Sequence, residues 1–265
     1  MKVLILCGGM GTRLREETEW QPKPMVEIGG KPILWHVMKH YACFGYKDFV
    51  LALGYRGDIV RRYFIDYHLM TRDVTLQLGK RDEVLLHGDE PEEDWHVTLA
   101  DTGQNACKGA RIKRVQAHIE AGLEDDAFML TYADGVSTVD LDALLAFHRS
   151  HGRLATVTGV APTMRFGGIE VREDGTASFT EKSAGGTAWV NGGYYVLERK
   201  VFDYLQADDA CEFERGALER LSREGQLMMY PHDGFWHCMD DKRDLASLNR
   251  LWDLGERPWA LWETR

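Results

Sequence analysis

The chain has no run of about 18 apolar residues, so nothing in it reads as a membrane span. It has no excess of basic charge either: the formal net charge is −10. That argues against a nucleic-acid or anionic-membrane surface, since both want a basic face. A nucleotide substrate stays open, but cations at its site must then be locally concentrated, and a divalent metal would help. There is no Cys-x-x-Cys, and the five cysteines, at 7, 43, 107, 211 and 238, are odd in number and scattered. They read as reduced thiols of a cytoplasmic protein. No secretory signal is legible, because the apolar run at 3–6 is too short for one. No serine lies in a G-x-S-x-G elbow, which speaks against a covalent hydrolase. His36 and His40 lack the glutamate of H-E-x-x-H and read as helix surface or satisfied core. His237 and Cys238 have no further ligands at zinc-site spacing. Repeats, low-complexity tracts and linkers are absent.

What is present begins with Val3-Leu4-Ile5-Leu6, a short apolar run that suits a buried parallel strand. It enters a loop carrying Gly8, Gly9 and Gly11, where main-chain N–H groups can approach a polyanion without a Cβ in the way. Arg13 follows and can pair with phosphate in bidentate fashion. Lys23, between Pro22 and Pro24, is a second cation on a stiff segment. The spacing is neither the dinucleotide fingerprint nor a Walker A loop, and no helix is expected to open directly after it. An NAD-dependent dehydrogenase therefore fails on the glycine spacing.

Helical and strand patterns then alternate. Pro32 precedes a helix through Ile33, Leu34, Val37, Met38 and Tyr41, with Gly45 as its stop. Residues 49–53 read as a second buried strand, and Ile59, Tyr63, Phe64 and Tyr67 as a helix. Residues 74–78 alternate like a half-exposed strand, and 87–95 read as an acidic surface loop. A strand at 128–132 ends in Ala133-Asp134-Gly135, and Asp140 caps the next helix. Another strand runs from 155 to 160, short β segments fill 167–197, and 213–221 and 242–254 look helical. This rhythm predicts a parallel, three-layer α/β sheet. With 265 residues of ordinary globular composition, the expectation is one domain. Within it the chain divides into a first half, 1–135, and a second, 136–265.

Asp134 sits past a buried strand, where ligands lie in open α/β sheets. A lone carboxylate there suits a hard cation, though taken alone it reads more readily as a turn or helix cap. Asp240 follows Gly234-Phe235-Trp236-His237-Cys238-Met239, with Asp241 as a competing candidate. Arg111 reads equally well as a surface arginine at a helix start.

The pattern G-G-x-G-T-R…P-K-P resembles the sugar-nucleotide pyrophosphorylases, nucleotidyltransferases acting on sugar 1-phosphates. Residues 16–18 and 22–36 are most similar to the glucose-1-phosphate cytidylyltransferases, and the likeness runs to the Pro258-Trp259 tail. The resemblance implies a Rossmann-like, three-layer nucleotidyltransferase fold, with a mixed, mostly parallel sheet and a β-rich C-terminal sugar-binding portion. It implies CTP and glucose 1-phosphate as substrates, Mg²⁺ as cofactor, and CDP-glucose and pyrophosphate as products. UTP, dTTP or GTP, another sugar 1-phosphate, or a non-catalytic sugar-nucleotide sensor are the alternatives. It implies nucleotide contacts at Leu6, Gly8, Gly9, Gly11, Thr12, Arg13, Lys23, Thr102 and Arg111. Sugar contacts are implied at Tyr132, Gly135, Gly167, Glu181, Lys182, Asn191 and Gly192. Asp134 and Asp240 are the implied metal ligands, and Arg13, Lys23 and Lys182 the catalytic cations. The chain departs from the family in Ala133, where Gly-Asp-Gly is usual, and in Ser183, where Glu-Lys-Pro is usual. No nucleic-acid or membrane partner is expected. The family implies a homo-oligomer, with a hexamer one candidate, and Trp259 and Trp262 in the tail suggest a buried assembly surface.

Overall fold

The computed structural model describes residues 1–79, 84–89, 93–122, 125–161, 168–171, 177–180 and 189–264. Its central sheet has seven strands: β1 (Lys2–Cys7), β2 (Asp48–Leu53), β3 (His96–Asp101), β4 (Ala127–Tyr132), β5 (Ala155–Val160), β6 (Val190–Glu198) and β7 (Leu227–His232). Their order is β7-β5-β6-β4-β1-β2-β3. β1 pairs in parallel with β2 and β4, β2 with β3, and β5 with β7. Only β6 runs antiparallel within it, against β4 and β5.

Strand parity separates two cores. Val3, Ile5 and Cys7 of β1, with Phe49 and Leu51 of β2, face helices α1 (Ile33–Cys43) and α4 (Leu141–His151). Their partners there include Leu34, Val37, Tyr41, Leu141 and Leu144. Leu4 and Leu6, with Val50, Ala52, Phe128 and Leu130, face the opposite layer. That layer holds Ile112 of α3 (Lys108–Arg114) together with Phe202, Phe213 and Leu221. Successive side chains of a strand point to opposite faces, so a run that is apolar at every position fits a sheet covered on both sides. α2 (Gly57–Ile65) follows β2. A third cluster joins Leu14, Ile28 and Ile33 to Leu248 of α5 (Lys242–Asp253) and to Trp259.

Several local expectations shift. A 3-10 turn at Thr12–Leu14 and one α-helical turn at Arg15–Thr18 open directly after the glycine loop, where no helix was expected. Gly11, at φ +60, permits the turn, and Thr18 Oγ1 donates back to the Gly11 and Leu14 carbonyls. Residues 74–78 do not join the main sheet: among the described residues Val74–Leu76 pairs only with Val84–Leu86, in a separate hairpin. The tail tryptophans pack inside the chain. Trp259 is buried and its indole N–H donates to His36 Nδ1 at 3.4 Å, while Trp262 meets Trp35 edge-on at 5.6 Å. An aromatic-rich tail reads the same from sequence whether it covers its own chain or another.

Candidate active site

A cleft of about 600 Å³ opens at the C-terminal ends of β1 and β4, and this volume is in the usual range for a small-molecule site. β1 is the strand from which the sheet extends both ways, toward β2 and toward β4, and open α/β sheets bind ligands at that switch point. The cleft is lined by Leu6, Gly8, Gly9, Gly11, Thr12, Arg13, Lys23, Arg111, Tyr132, Asp134, Gly135, Asn191, Gly192 and Asp240. Thr102 is buried behind Arg111 and does not line it. Gly167, Glu181 and Lys182 lie outside the described residues.

Two carboxylates and two cations meet at one end. The short strand Trp236–Cys238 pairs with Gly135–Ser137, and Met239 N–H donates to the Asp134 carbonyl at 2.8 Å. This bridge brings Asp134 and Asp240 together. Lys23 Nζ donates to Asp134 Oδ2 at 2.6 Å and to Asp240 Oδ1 at 2.9 Å, and Arg13 Nη1 to Asp240 Oδ2 at 2.9 Å. Burial pulls the Lys23 pKa down, but the Asp134 charge and the bonds to both carboxylates outweigh it, leaving it above the ordinary lysine value. Burial alone would raise the Asp240 carboxyl. The bond to Lys23 and the charges of Lys23 and Arg13 carry it below its usual range instead. Asp241 turns away from this cluster. Its carboxylate accepts from Arg243 N–H at 2.8 Å and Asp244 N–H at 3.0 Å in the capping box of α5.

Asp134, Cys238 and Asp240 each bring one candidate ligand atom within 4.8 Å of the others. The two carboxylates suit a hard divalent cation whose other ligands are waters and phosphate oxygens. The Cys238 sulfur is too soft for such an ion. Burial, then Asp134, pushes this thiol above its ordinary pKa. The Lys23 ammonium, in contact with both carboxylates, marks the pair as a cation-binding arrangement.

Arg111 holds the floor. Nη1 donates to the Leu53 carbonyl (3.1 Å), Thr102 Oγ1 (2.8 Å) and the Gly103 carbonyl (2.7 Å). Nη2 donates to the Gly8 and Gln104 carbonyls, at 3.0 and 3.2 Å. The guanidinium thus ties together the ends of β1 and β2 and the loop after β3. It also explains two glycines: a Cβ on Gly8 or on Gly54 would lie 2.2 Å from Arg111 Nη1. Gly8 makes room for a guanidinium, whereas nothing lies within 4 Å of a Cβ at Gly9.

The far wall is built from β4 and β6. The Tyr132 hydroxyl donates to Glu214 Oε1 at 2.8 Å and lies 3.0 Å from the Tyr195 hydroxyl, which also meets Asn191 Nδ2. Lys108 Nζ pairs with Glu214 and stands 4.6 Å from the Tyr132 ring centre. Trp236 Nε1 donates to the Gly192 carbonyl at 2.8 Å, fixing the Asn191-Gly192-Gly193 segment. Sequence reasoning missed Lys108, Tyr195, Glu214 and Trp236, and it set Cys238 aside for want of further ligands at zinc-site spacing. Cys238 joins the two aspartates because the strand Trp236–Cys238 ends there and the chain turns, with Asp240 N–H donating to the Cys238 carbonyl at 3.2 Å.

The nucleotidyl transferase family model matches residues 2–254. Glucose-1-phosphate cytidylyltransferase of Salmonella typhimurium is 45% identical over 99% of this chain and 100% of its own length. The protein of that name from Salmonella typhi is 44% identical over the same shares. Among solved structures, HddC from Yersinia pseudotuberculosis superposes with a TM-score of 0.63 at 23% identity, over 95% of this chain and 99% of that one, a likeness of fold. The chain belongs to the nucleotidyl transferase family, on the branch of the glucose-1-phosphate cytidylyltransferases.

Proposed function

We propose that this chain transfers a cytidylyl group from CTP to α-D-glucose 1-phosphate, giving CDP-glucose and pyrophosphate. The observation that carries the reading is full-length identity of 44–45% with relatives of that name. A cleft with opposed cations and carboxylates at the sheet's switch point supports it.

A sugar-phosphate oxygen attacks the α-phosphorus of CTP, the bond from that phosphorus to the bridging oxygen breaks, and pyrophosphate leaves. The nucleophile is already an anion, so no general base is needed, and catalysis is positioning plus charge neutralisation. We assign Arg13 and the main-chain amides of residues 8–12 to the β- and γ-phosphates. Lys23 steadies the α-phosphate. Leu6 and Thr12 contact the nucleotide, Arg111 acts on it through the Gly8 carbonyl it holds, and Thr102 acts through Arg111, whose Nη1 donates to its hydroxyl. Lys182 orients the attacking phosphate. Tyr132, Gly135, Gly167, Glu181, Asn191 and Gly192 receive the sugar. Asp134 and Asp240 would hold Mg²⁺, which when bound supplies neutralising charge at the transferring phosphoryl group.

We place the reaction in the cytoplasm, in keeping with the free cysteines. Among the described residues no helix is long and apolar enough to cross a membrane. The two halves, 1–135 and 136–265, serve nucleotide and sugar phosphate within one domain. Homo-oligomeric assembly is supported by apolar side chains left exposed at Ile65 and Met70 and on the separate hairpin, at Leu76 and Leu85. Light scattering on the purified chain reads the assembly directly, and a monomer at all concentrations would refute it. The activity is tested by incubating the protein with CTP, glucose 1-phosphate and Mg²⁺ and following phosphorus NMR. Appearance of CDP-glucose and pyrophosphate in equal amounts is expected. Unchanged substrates, with the same protein still binding CDP-glucose, would make it a sensor.

A further inference from the structure

We infer that Lys23 is the resident counter-ion of the Asp134–Asp240 pair, holding the two carboxylates ready for a divalent cation that must displace it. This rests on the metal role proposed above for the two aspartates. The ammonium lies 2.6 Å from Asp134 Oδ2 and 2.9 Å from Asp240 Oδ1, so one positive charge sits between both groups. Its stem is fixed. Lys23 belongs to a 3-10 turn, Lys23–Met25, closed by bonds from Met25 N–H to the Pro22 carbonyl and from Val26 N–H to the Lys23 carbonyl. Pro22 and Pro24 flank it, and the side chain is buried. The head remains a point charge on a flexible four-carbon stem, able to change partners without moving the turn.

An ammonium and a divalent ion cannot both sit between the same carboxylate oxygens. In the nucleotide-free protein Lys23 therefore competes with the metal. When phosphate enters the cleft, the ammonium gains a new anionic partner and leaves the carboxylates to the metal. Metal and nucleotide then favour each other's binding, and the coupling is reciprocal. One side chain would perform both tasks, ordering the two aspartates before binding and contacting phosphate afterwards. Lys23 is a positioning residue in the first of these.

The test uses Mn²⁺ as the probe and the nucleotide-free full chain, with free Mn²⁺ read by electron paramagnetic resonance. Lys23→Met removes the charge at similar length. It should bind Mn²⁺ about tenfold or more tightly than wild type, within the usual span of coupling between sites. In EDTA it should melt below wild type, because Asp134 loses its ammonium and Asp240 keeps only Arg13, and Mn²⁺ should raise its Tm more than that of wild type. Equal or weaker Mn²⁺ binding by Lys23→Met overturns the inference. Adding Asp134→Asn and Asp240→Asn to Lys23→Met should abolish the tight site. If it survives, the ion sits elsewhere and the metal reading itself fails. Should Lys23→Met not fold, nitrogen NMR of lysine-labelled wild type gives the answer. The Lys23 Nζ resonance should shift on adding Mg²⁺ with a non-hydrolysable CTP analogue, and an unmoved resonance overturns the inference.

Discussion

Replacing Arg111 by methionine removes a buried cation whose bonds go to main-chain carbonyls of three separate segments and to the Thr102 hydroxyl. Hydrogen bonds to a charged group are worth about 1.5–3 kcal/mol each, and bonds that share one guanidinium do not add. Each buried carbonyl left without a donor costs about 1–3 kcal/mol, which for the segments joined here comes to about 3–5 kcal/mol once non-additivity is counted. At about 2–4 °C per kcal/mol for a chain of this size, Tm should fall by roughly 6–20 °C. The assay is thermal and urea unfolding of the ligand-free protein. Gly54→Ala should lower stability in the same direction, since its Cβ would meet the same guanidinium 2.2 Å away. Gly9→Ala has open space and should unfold like wild type, within about 0.5 kcal/mol. If Arg111→Met unfolds like wild type while the KM for CTP rises, the guanidinium works on the nucleotide directly and the clamp is refuted.

Asp240→Asn should lower kcat by about two orders of magnitude or more, through lost charge neutralisation. Asp241→Ala should instead cost about 1 kcal/mol of stability as a lost helix cap, with kcat within a few-fold of wild type. Steady-state kinetics beside urea unfolding separates the two, and the reversed pattern would move the metal to Asp241. Buried His36 should make the fold acid-sensitive. Burial lowers its pKa to about 4, and Nε2–H donates to the Ile28 carbonyl at 2.9 Å while Nδ1 accepts from Trp259. The folded pKa lies below the unfolded value, so this contribution is complete above about pH 6.5 and is lost as pH falls toward 4. The loss is worth about 3 kcal/mol. Urea midpoints measured between pH 7.5 and 4.5 should fall more steeply in wild type than in His36→Gln, and equal slopes would contradict the assignment.

Much of this was legible because it is local. An apolar run at 3–6 followed by glycines gives β1 and its loop, and Asp140 three residues before Ala143 gives a helix cap. What stayed hidden depends on distance along the chain. Lys23 meets partners 111 and 217 residues away, a pairing no spacing rule contains. Asp240 and Asp241 could not be told apart until the start of α5 was known, because capping is decided by where the helix begins. Gly8 was read as room for phosphate, but a Cβ there would strike Arg111, a residue 103 positions on. The apolar alternation at 74–78 was legible as strand for Val74–Leu76, and Leu78 falls outside it. Which sheet it joins was not, since pairing is a tertiary choice.

The central claim is that cytidylyl transfer is what this cleft does best. One vessel with equimolar CTP, UTP, dTTP and GTP, Mg²⁺ and limiting glucose 1-phosphate yields sugar nucleotides in the ratio of their kcat/KM values, read by mass spectrometry. CDP-glucose should dominate, by about tenfold or more over each competitor. UDP-glucose, dTDP-glucose or GDP-glucose in equal or greater amount would contradict the account, leaving a nucleotidyltransferase of a different base.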